Sequence, residues 1–430
     1  MRFPLLALAL ASGALVVSAC SEEVVSPSGD AVSSTPIATT VAASTPKAEL
    51  GRELFFDMSL SRNGNQSCAA CHDPKFGFTG PKVAVNKGGG VYAGSVRQRF
   101  GARRPPSAAY ATSSPIFRYD EVEELYLGGN FWDGRATGEV LGNPAADQAL
   151  GPFLNPVEQA LPDRSCVIFK VREGHYADLW YVVWGDAIAD VSFPNKMTQE
   201  CRQDAADFDV EFSPQDDALL DAAYDQVGLS IAEYEASPEV NAFSSRYDAW
   251  KAGADVFTTQ EEWGFELFSA DKSMCSACHP VSLSDPMDLL TDFSFDNLGV
   301  PKNPANPIYV IDPGFVDLGL GGFLGDQAEY GKHKVPTLRN TDKKPATPVT
   351  KAFTHNGYFK SLEQIVHFYN TRDVKPTCPG PYTAAEAIDA GCWPAPEVAA
   401  NVNSDELGDL GLTAEEEAAI VAFMRTLADE

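Results

Sequence analysis

Two copies of one short sequence constrain this 430-residue chain more than any of its other features. In each copy, two cysteines are separated by two residues and followed directly by a histidine. The two sets are Cys68, Cys71 and His72, and Cys275, Cys278 and His279. C-x-x-C-H is the attachment signature of a c-type haem, in which the cysteines bind the porphyrin and the histidine binds the iron. The sequence therefore predicts two covalently bound c-type haems in two separate pockets.

Two other interpretations of paired cysteines explain less of the sequence. C-x-x-C pairs also build zinc sites, and a single pair can be a redox dithiol. Zinc ribbons and zinc fingers keep their ligand pairs close together in sequence, whereas these two motifs lie about two hundred residues apart. Neither interpretation explains a histidine after both second cysteines, so we favour the haem interpretation.

The N-terminus indicates export. Arg2 supplies a positive charge, and residues 5–17 are apolar or small but too few to span a membrane. The sequence VSAC, which ends at Cys20, resembles a bacterial lipobox and predicts a lipoprotein-type signal peptide over residues 1–20. Residues 21–46 are rich in Ser, Thr, Val, Pro and Ala, which indicates a flexible tether.

The fate of Cys20 decides the expected location. If Cys20 is lipidated, the protein is anchored on the periplasmic side of the bacterial outer membrane, since serine rather than aspartate follows that cysteine. If the signal is an ordinary cleaved one, the protein is soluble in the periplasm. We expect no other contact with a membrane.

The cysteine count is consistent with an oxidising compartment. Of the nine cysteines, one is assigned to the lipid and four to the haems. Four remain, and in the periplasm they suggest two disulfides. Cys378 and Cys392 bracket a Pro/Gly loop, and Cys166 with Cys201 would close a loop in the middle segment. Free buried thiols are the alternative.

Composition narrows the range of partners. The apolar content, 44%, is sufficient for two globular domains. The formal net charge is −28, which argues against nucleic acid or an anionic membrane as a partner. This charge permits a basic partner protein, but the solubility of an exported protein explains it equally well.

Local patterns predict a mainly α fold with long loops around the haems and few short strands. The predicted helical stretches are residues 49–57, 213–255, 262–268, 361–369 and 414–422. Thr259 can cap the third of these stretches. Thr413, followed three residues later by Glu416, forms a capping box for the last one.

The chain resembles the bacterial di-haem cytochrome c peroxidases and their relative MauG, and it is closer to the MauG-like members. The resemblance runs from about residue 50 to the C-terminus and rests on segments in the family's order. These segments are GRELFFDMSLSRNGNQSCAACHDPKFGFT, RRPPSAAY, FWDGRA, DQALGPFLNPVEQ, GFELF with CSACH, FDNLGVP, KVPTLRN, HNGYFKSLEQIVHFYN and LTAEEEAAIVAFMRTL.

The resemblance implies two cytochrome c-like haem domains. Residues 47–255 would form an N-terminal domain with the peroxidatic haem, enlarged by an insertion at about residues 160–255. Residues 256–430 would form a C-terminal domain with the electron-transfer haem, whose last helix could pack back on the first domain.

The resemblance also assigns roles at the first haem, where His72 would be the proximal ligand. Glu158 matches the distal acid, and a carboxyl near the iron can move a proton from the inner to the outer oxygen of peroxide. Gln148 matches an amide that can hydrogen-bond the peroxide, and Trp132 matches a tryptophan between the haems that can relay an electron. Without the resemblance, a surface Glu, a surface Gln and a core Trp would be the simpler interpretations.

One departure from the peroxidase pattern concerns the resting state of the first haem. Typical members close this iron with a histidine from the loop after the first motif. Here residues 73–174 contain no histidine, and residues 59–196 contain no methionine. Lys75, Lys82 and Lys87 are substitutes only if deprotonated, which is costly. We therefore expect an iron that is open to peroxide.

A second departure concerns the other haem, where His279 would be one axial ligand. Typical peroxidases use methionine as the second ligand, but alignment from His355, Asn356 and Gly357 puts Tyr369 at that position, as in MauG. A phenolate oxygen is hard and anionic, so it stabilises highly oxidised iron and lowers the potential. The alternative is a core aromatic residue on an apolar helical stripe.

Two further departures affect calcium and the exit of oxidising equivalents. Arg104 replaces an asparagine that often supplies a calcium ligand between the haems, which makes a calcium site doubtful. Ser273 replaces a tryptophan through which MauG passes oxidising equivalents to its partner, so any such transfer here needs another route, such as Trp263 or a surface tyrosine.

Three functions are compatible with the sequence. A MauG-like oxidase would use hydrogen peroxide to store two oxidising equivalents on its haems and would then oxidise Trp or Tyr residues of a periplasmic or surface partner protein. A peroxidase would reduce hydrogen peroxide to water with electrons from a small c-type cytochrome. A plain electron carrier would need neither Glu158 nor an open first haem. Tyr369 favours the first function over the second.

Overall fold

The computed structural model describes residues 44–346 and 349–430. The predicted signal peptide, Cys20 and the predicted tether up to residue 43 lie outside this part of the chain. Within the described residues, no helix combines the length and the apolar character needed to cross a membrane.

Helices dominate the fold. The N-terminal half contains α1 (Pro46–Phe56), α2 (Val83–Lys87), α3 (Pro144–Leu154), α4 (Arg164–Arg172), α5 (Ala177–Trp184), α6 (Met197–Glu200), α7 (Pro214–Glu235) and α8 (Arg246–Lys251). The C-terminal half contains α9 (Thr259–Phe268), α10 (Cys275–Cys278), α11 (Ile308–Ile311), α12 (Gly319–Leu324), α13 (Leu362–Thr371), α14 (Ala384–Ala390) and α15 (Ala414–Arg425). The described residues also form two small antiparallel pairs, β1 (Arg118–Asp120) with β2 (Leu125–Leu127), and β3 (Phe295–Asp296) with β4 (His333–Lys334). The prediction of a mainly α fold with few short strands is confirmed.

The helix ends follow the expected capping chemistry, with one correction. The cap of α9 is Thr258, not the predicted Thr259. Thr258 accepts a hydrogen bond from the Glu261 backbone, and the Glu261 carboxylate accepts one from the Thr258 backbone, so the box satisfies two otherwise free amides. Thr259 is already helical. The predicted box of Thr413 and Glu416 at α15 is confirmed.

Each half contains its own hydrophobic core. One cluster of buried side chains extends from Leu50 to Val240, and a second extends from Tyr247 to Leu427. The last helix, α15, packs on α9 and α13 within the C-terminal half. This end of the chain also reaches the first half. The ring of Phe423, on α15, packs against that of Tyr247 on α8, and the Asp429 carboxylate accepts a hydrogen bond from the Tyr110 hydroxyl at 2.6 Å.

The same close helix crossing occurs once in each half, shortly before each C-x-x-C-H motif. In α1, a Cβ added at Gly51 would lie 1.8 Å from the Ser230 carbonyl oxygen of α7. In α9, a Cβ added at Gly264 would lie 1.9 Å from the Ala419 carbonyl oxygen of α15. Only glycine allows two helix backbones to approach this closely, so the helix that precedes each motif packs directly on its partner helix.

Both predicted disulfides are confirmed. Cys166 at the start of α4 is bonded to Cys201 after α6, and Cys378 is bonded to Cys392. The four motif cysteines are free thiols. The cysteine count therefore matches the division into structural and motif cysteines that the sequence predicts.

Candidate di-haem site

The first motif folds as a single tight turn. Cys68–Ala70 form a short 3-10 helix, and the His72 backbone amide donates to the Cys68 carbonyl at 2.9 Å. The His72 Nδ1 lies 3.1 Å from the Phe78 carbonyl oxygen. With Nδ1–H as donor, the Nε2 lone pair is left free, as iron ligation requires. Burial lowers the pKa of His72, which favours this neutral form.

The second motif repeats this design. Cys275–Cys278 form α10, and the His279 backbone amide donates to the Cys275 carbonyl at 3.0 Å. The His279 Nδ1 lies 2.8 Å from the Leu290 carbonyl oxygen, and burial lowers the pKa of the imidazole. In both motifs the ring is held by a backbone carbonyl 6 or 11 residues further along the chain.

Each motif lines a cavity with the chemistry that a c-type haem needs. The first cavity, of about 400 Å³, is lined by Cys68, Cys71 and His72. The second, of about 160 Å³, is lined by Cys275, Cys278 and His279. Two free thiols on one turn beside a neutral imidazole with an available nitrogen form the donor set of an attached haem. The residues that line each cavity therefore fit a covalently attached c-type haem.

Glu158 lies at the first cavity, in the turn that follows α3. Its backbone amide donates to the Asn155 carbonyl at 2.9 Å, which holds this turn. Its Oε2 atom is buried without a hydrogen-bond partner. Burial raises the pKa of the carboxyl, although Arg135 and a hydrogen bond from Asn155 oppose this shift. A carboxyl in such a setting can exchange a proton with a ligand in the cavity.

Gln148 and Trp132 also line the cavities, and their predicted roles stay predictions. Gln148, on α3, lines the first cavity together with Glu158. Trp132 is 6% exposed and lines both cavities. Its indole N–H donates to the Arg104 carbonyl oxygen at 2.8 Å, which fixes the ring in this position. The indole ring therefore borders both cavities.

No second ligand for the first iron is evident in the described part of the chain. Among the described residues that line the first cavity, His72 is the only histidine, and none is methionine. Lys75, Lys82 and Lys87 are exposed and do not line it. Tyr92 does line it, but its hydroxyl accepts a hydrogen bond from the Lys82 backbone at 2.8 Å and lies 3.3 Å from Asn86 Oδ1.

Tyr369 lies on α13 and lines the second cavity with His279 and both motif cysteines. Burial raises the pKa of its hydroxyl, and the nearby Cys278 and Asp296 raise it further. The hydroxyl makes no hydrogen bond with the described residues. The predicted helix over residues 361–369 is confirmed as Leu362–Thr371, and it carries the tyrosine to the cavity.

A group of polar residues at the second cavity was not predicted as functional. The rings of His333 and His355 are stacked 3.6 Å apart, and the Nε2 atom of each is buried without a hydrogen bond. His333 Nε2 is 3.3 Å from Asp317 Oδ1, but the geometry is not that of a hydrogen bond. Arg103 pairs with Asp317 at 2.7 Å. In the sequence these residues are far apart, and no local motif connects them.

Arg104 occupies the space between the two cavities and lines both. Its Nε donates to the Thr354 carbonyl at 3.0 Å, and no carboxylate pairs with its guanidinium among the described residues. Burial lowers its pKa to about 10. A buried cation at this position disfavours a metal cation beside it, and the doubtful calcium site stays a prediction.

Ser273, which replaces the exit tryptophan of MauG, and Trp263, the alternative exit residue, differ in their exposure to solvent. Ser273 is buried, and its hydroxyl donates to the Leu267 carbonyl at 2.7 Å. Trp263, on α9, is 39% exposed. Among the described residues, no aromatic ring is packed against that of Trp263, so no ring contact connects it to the second cavity.

Comparison with known proteins agrees with this site. Residues 45–256 match the family model described as di-haem cytochrome c peroxidase. The chain is 34% identical to the methylamine utilization protein MauG of Paracoccus denitrificans (strain Pd 1222) over 389 residues, which cover 89% of this chain and 88% of that protein. It is 25% identical to the cytochrome c551 peroxidase of Nitrosomonas europaea, over 77% of this chain and 75% of that protein.

A solved structure supports the same assignment. The diheme peroxidase BthA of Burkholderia thailandensis is 27% identical, with a TM-score of 0.68 over 89% of this chain and 86% of that one. The chain belongs to the family of di-haem cytochrome c peroxidases and MauG. It is therefore a haem oxidoreductase that uses hydrogen peroxide and carries two haems.

Proposed function

We propose that this protein is an oxidase of the MauG type. It uses hydrogen peroxide to store two oxidising equivalents on its two haems, and it then oxidises tryptophan or tyrosine residues of a partner protein. The observation that supports this choice most strongly is Tyr369, a phenol at the second cavity where typical cytochrome c peroxidases have methionine. The 34% identity to MauG agrees with it.

The first cavity is where peroxide binds. His72 presents its Nε2 there, and Glu158 and Gln148 provide a carboxyl and an amide in the same space. Glu158 takes the proton of the inner peroxide oxygen and returns it to the outer oxygen, which leaves as water. Gln148 orients the peroxide through its amide. When bound, the haem supplies the cleavage of the O–O bond and accepts the oxidising equivalents.

The second cavity holds an oxidising equivalent rather than accepting electrons from an ordinary cytochrome. Tyr369 and His279 are the residues that would hold its iron. An anionic oxygen ligand lowers the potential relative to methionine, so transfer of an electron from a cytochrome of ordinary potential becomes unfavourable. Trp132, which lines both cavities, is the residue through which the two sites exchange an electron.

A peroxidase that takes its electrons from a small c-type cytochrome is the second candidate. Several relatives are named cytochrome c peroxidases, and Glu158 serves that reaction equally well. The two candidates therefore differ at the second site and in the electron donor, not in the chemistry of the first site.

Electron donors can be compared directly. The oxidised protein receives two equivalents of peroxide and then either a reduced small c-type cytochrome or a mixture of tryptophan and tyrosine amides. We expect wild type to oxidise the amides, detected by mass spectrometry, and to oxidise the cytochrome slowly. Tyr369→Met should shift the preference to the cytochrome, and Tyr382→Phe, outside both haem cavities, is the matched control. Rapid cytochrome oxidation by wild type without oxidised amides would support the peroxidase instead.

Covalent attachment of both haems is part of this proposal. The four motif thiols support it, because all other described cysteines are in disulfides. A pyridine haemochrome assay should give two c-type haems per chain after normal maturation, and one haem per chain would contradict the proposal.

A further inference from the structure

The first cavity is lined by three carboxyl residues, Asp133, Glu158 and Glu235, and Asp133 is paired with Arg103 and Arg135. The sequence analysis did not identify Glu235. Glu235, the last residue of α7, lines this cavity together with Cys68, His72 and Glu158. The residue is 3% exposed, and its Oε2 atom is buried without a hydrogen-bond partner. No Lys, Arg or His of the described chain forms an ion pair with it. An unpartnered buried acid is costly for stability, so such a residue calls for a functional explanation.

The surroundings of Glu235 favour its protonated form. Burial raises its pKa to about 8, and no cation opposes this shift. The titratable groups that sense its charge are Cys68, on the motif turn, and Tyr234, on the same helix. Neither carries a positive charge. Burial raises the pKa of Glu158 as well, but there Arg135 and Asn155 partly oppose the shift.

The reaction at this cavity requires protons from outside the substrate. Reduction of one hydrogen peroxide to two waters consumes two electrons and two protons. Glu158 can shift a proton from one peroxide oxygen to the other, but this shift adds no proton to the total. The electrons come from the haems and, in the end, from the protein's electron donor. The protons must reach a cavity at which the Oε2 atoms of Glu158 and Glu235 are buried.

We propose that Glu235 is the proton-donating residue that resupplies the first cavity during turnover. Its Oε–H bond breaks, the proton passes through cavity water to an oxygen that leaves as water or to the Glu158 carboxylate, and Glu235 becomes a carboxylate. A proton from solvent then restores the acid, and Glu235 gains or loses no electron. The proposal rests on the peroxide chemistry of the family and does not depend on which partner supplies electrons.

Two physical readouts test the state of this acid without reference to activity. Wild type at pH 7 should show an infrared band of a protonated carboxyl that disappears near pH 8 and is lost in Glu235→Gln. Glu200→Gln is the matched control, because Glu200 is also buried but accepts a hydrogen bond from the Asp209 backbone at 3.1 Å and lies outside this cavity. Absence of the band in wild type would overturn the proposal.

The second readout is thermal stability against pH. A carboxyl whose pKa is raised on folding destabilises the protein increasingly as the pH rises from its unfolded value towards about 8. Glu235→Gln removes this penalty. Its Tm should therefore equal that of wild type at low pH and exceed it by a growing margin up to about pH 8, while Glu200→Gln should show no such trend. Parallel curves for wild type and Glu235→Gln would contradict the protonated state.

Kinetics then test the role, with a small-molecule reductant as donor so that the partner protein does not matter. Glu235→Gln should lower steady-state peroxide turnover at pH 7 by about tenfold or more. It should leave the rate of the first reaction with peroxide within about twofold. It should also abolish the decline in turnover that the proposal predicts for wild type above pH 8. Glu235→Asp keeps an acid and should recover part of the turnover. Unchanged turnover and an unchanged pH profile in Glu235→Gln would overturn the proposal, even if the partner experiment supports a MauG-type enzyme.

Discussion

The two haem cavities are built alike around their histidines and differently where distant segments reach them. In both, a helix with a glycine crossing precedes a C-x-x-C-H turn, and a backbone carbonyl holds the histidine Nδ1. The first cavity then receives Glu158 and Gln148 from α3 and the turn after it. The second receives Tyr369 from α13. The first cavity is also larger, about 400 Å³ against about 160 Å³.

This difference shows that attachment and reactivity are determined by separate parts of the chain. The local motif provides the two cysteines that attach a haem and the histidine that binds its iron. The residues that decide what the iron can do come from segments about 90 residues away in each half, between the motif and Glu158 or Tyr369. In the proposed function, the acids of the first site serve the reaction with peroxide, and the phenol of the second site serves the storage of an oxidising equivalent.

The substitution with the largest expected effect changes the first site alone. Glu158→Gln keeps the shape of the side chain but cannot carry the proton, so the bimolecular reaction with peroxide should slow by about 10²- to 10⁴-fold. Stopped-flow absorbance measures this rate, and a haemochrome assay checks that both haems remain bound. Glu123→Gln, an exposed residue near β2, is the control. A rate equal to that of wild type would remove Glu158 from its proposed role.

A second substitution should change only the other site. Tyr369→Met replaces an anionic oxygen with a neutral thioether, so the potential of the second haem should rise by an amount on the order of a few tenths of a volt. A spectroelectrochemical titration resolves the two haems, and the potential of the first should stay the same. If neither potential moves, Tyr369 is a packing residue and not a ligand.

The smallest expected effect tests the structural feature that the two halves share. Gly51→Ala and Gly264→Ala each push a Cβ against a carbonyl oxygen of the crossing helix, at 1.8 and 1.9 Å in the present structure. Each should cost about 1–3 kcal/mol of unfolding free energy, as overpacking does. Gly380→Ala, whose Cβ would have 3.7 Å to its nearest neighbour, is the control. A loss in only one half would show that the crossings are not equivalent.

Sequence patterns predicted the structural features that depend on residue types and their spacing along the chain. The motifs, the box at Thr413, both disulfides and the helix that carries Tyr369 depend on short spacings or on cysteine count. The cap of α9 was misplaced by one residue because Thr258 and Thr259 are adjacent and each is followed three residues later by a glutamate, Glu261 or Glu262.

Other residues gave no signal in the sequence. Glu235 looks like one more acid at the end of a long helix, and only the packing of α7 on α1 brings it to the first cavity. The same holds for His333 and His355, which are stacked although they lie 22 residues apart. A close approach between distant segments is a property of the packed core, which periodicity and composition do not encode.

Spectroscopy of the resting oxidised protein tests the central difference between the two sites most directly. Electron paramagnetic resonance and optical spectra are recorded before and after one equivalent of peroxide, with no reductant added at any stage. We expect one high-spin haem that reacts with peroxide at once and one low-spin haem whose spectrum changes in Tyr369→Phe. Two low-spin haems at rest, or a reaction that appears only after prior reduction, would contradict an open first site.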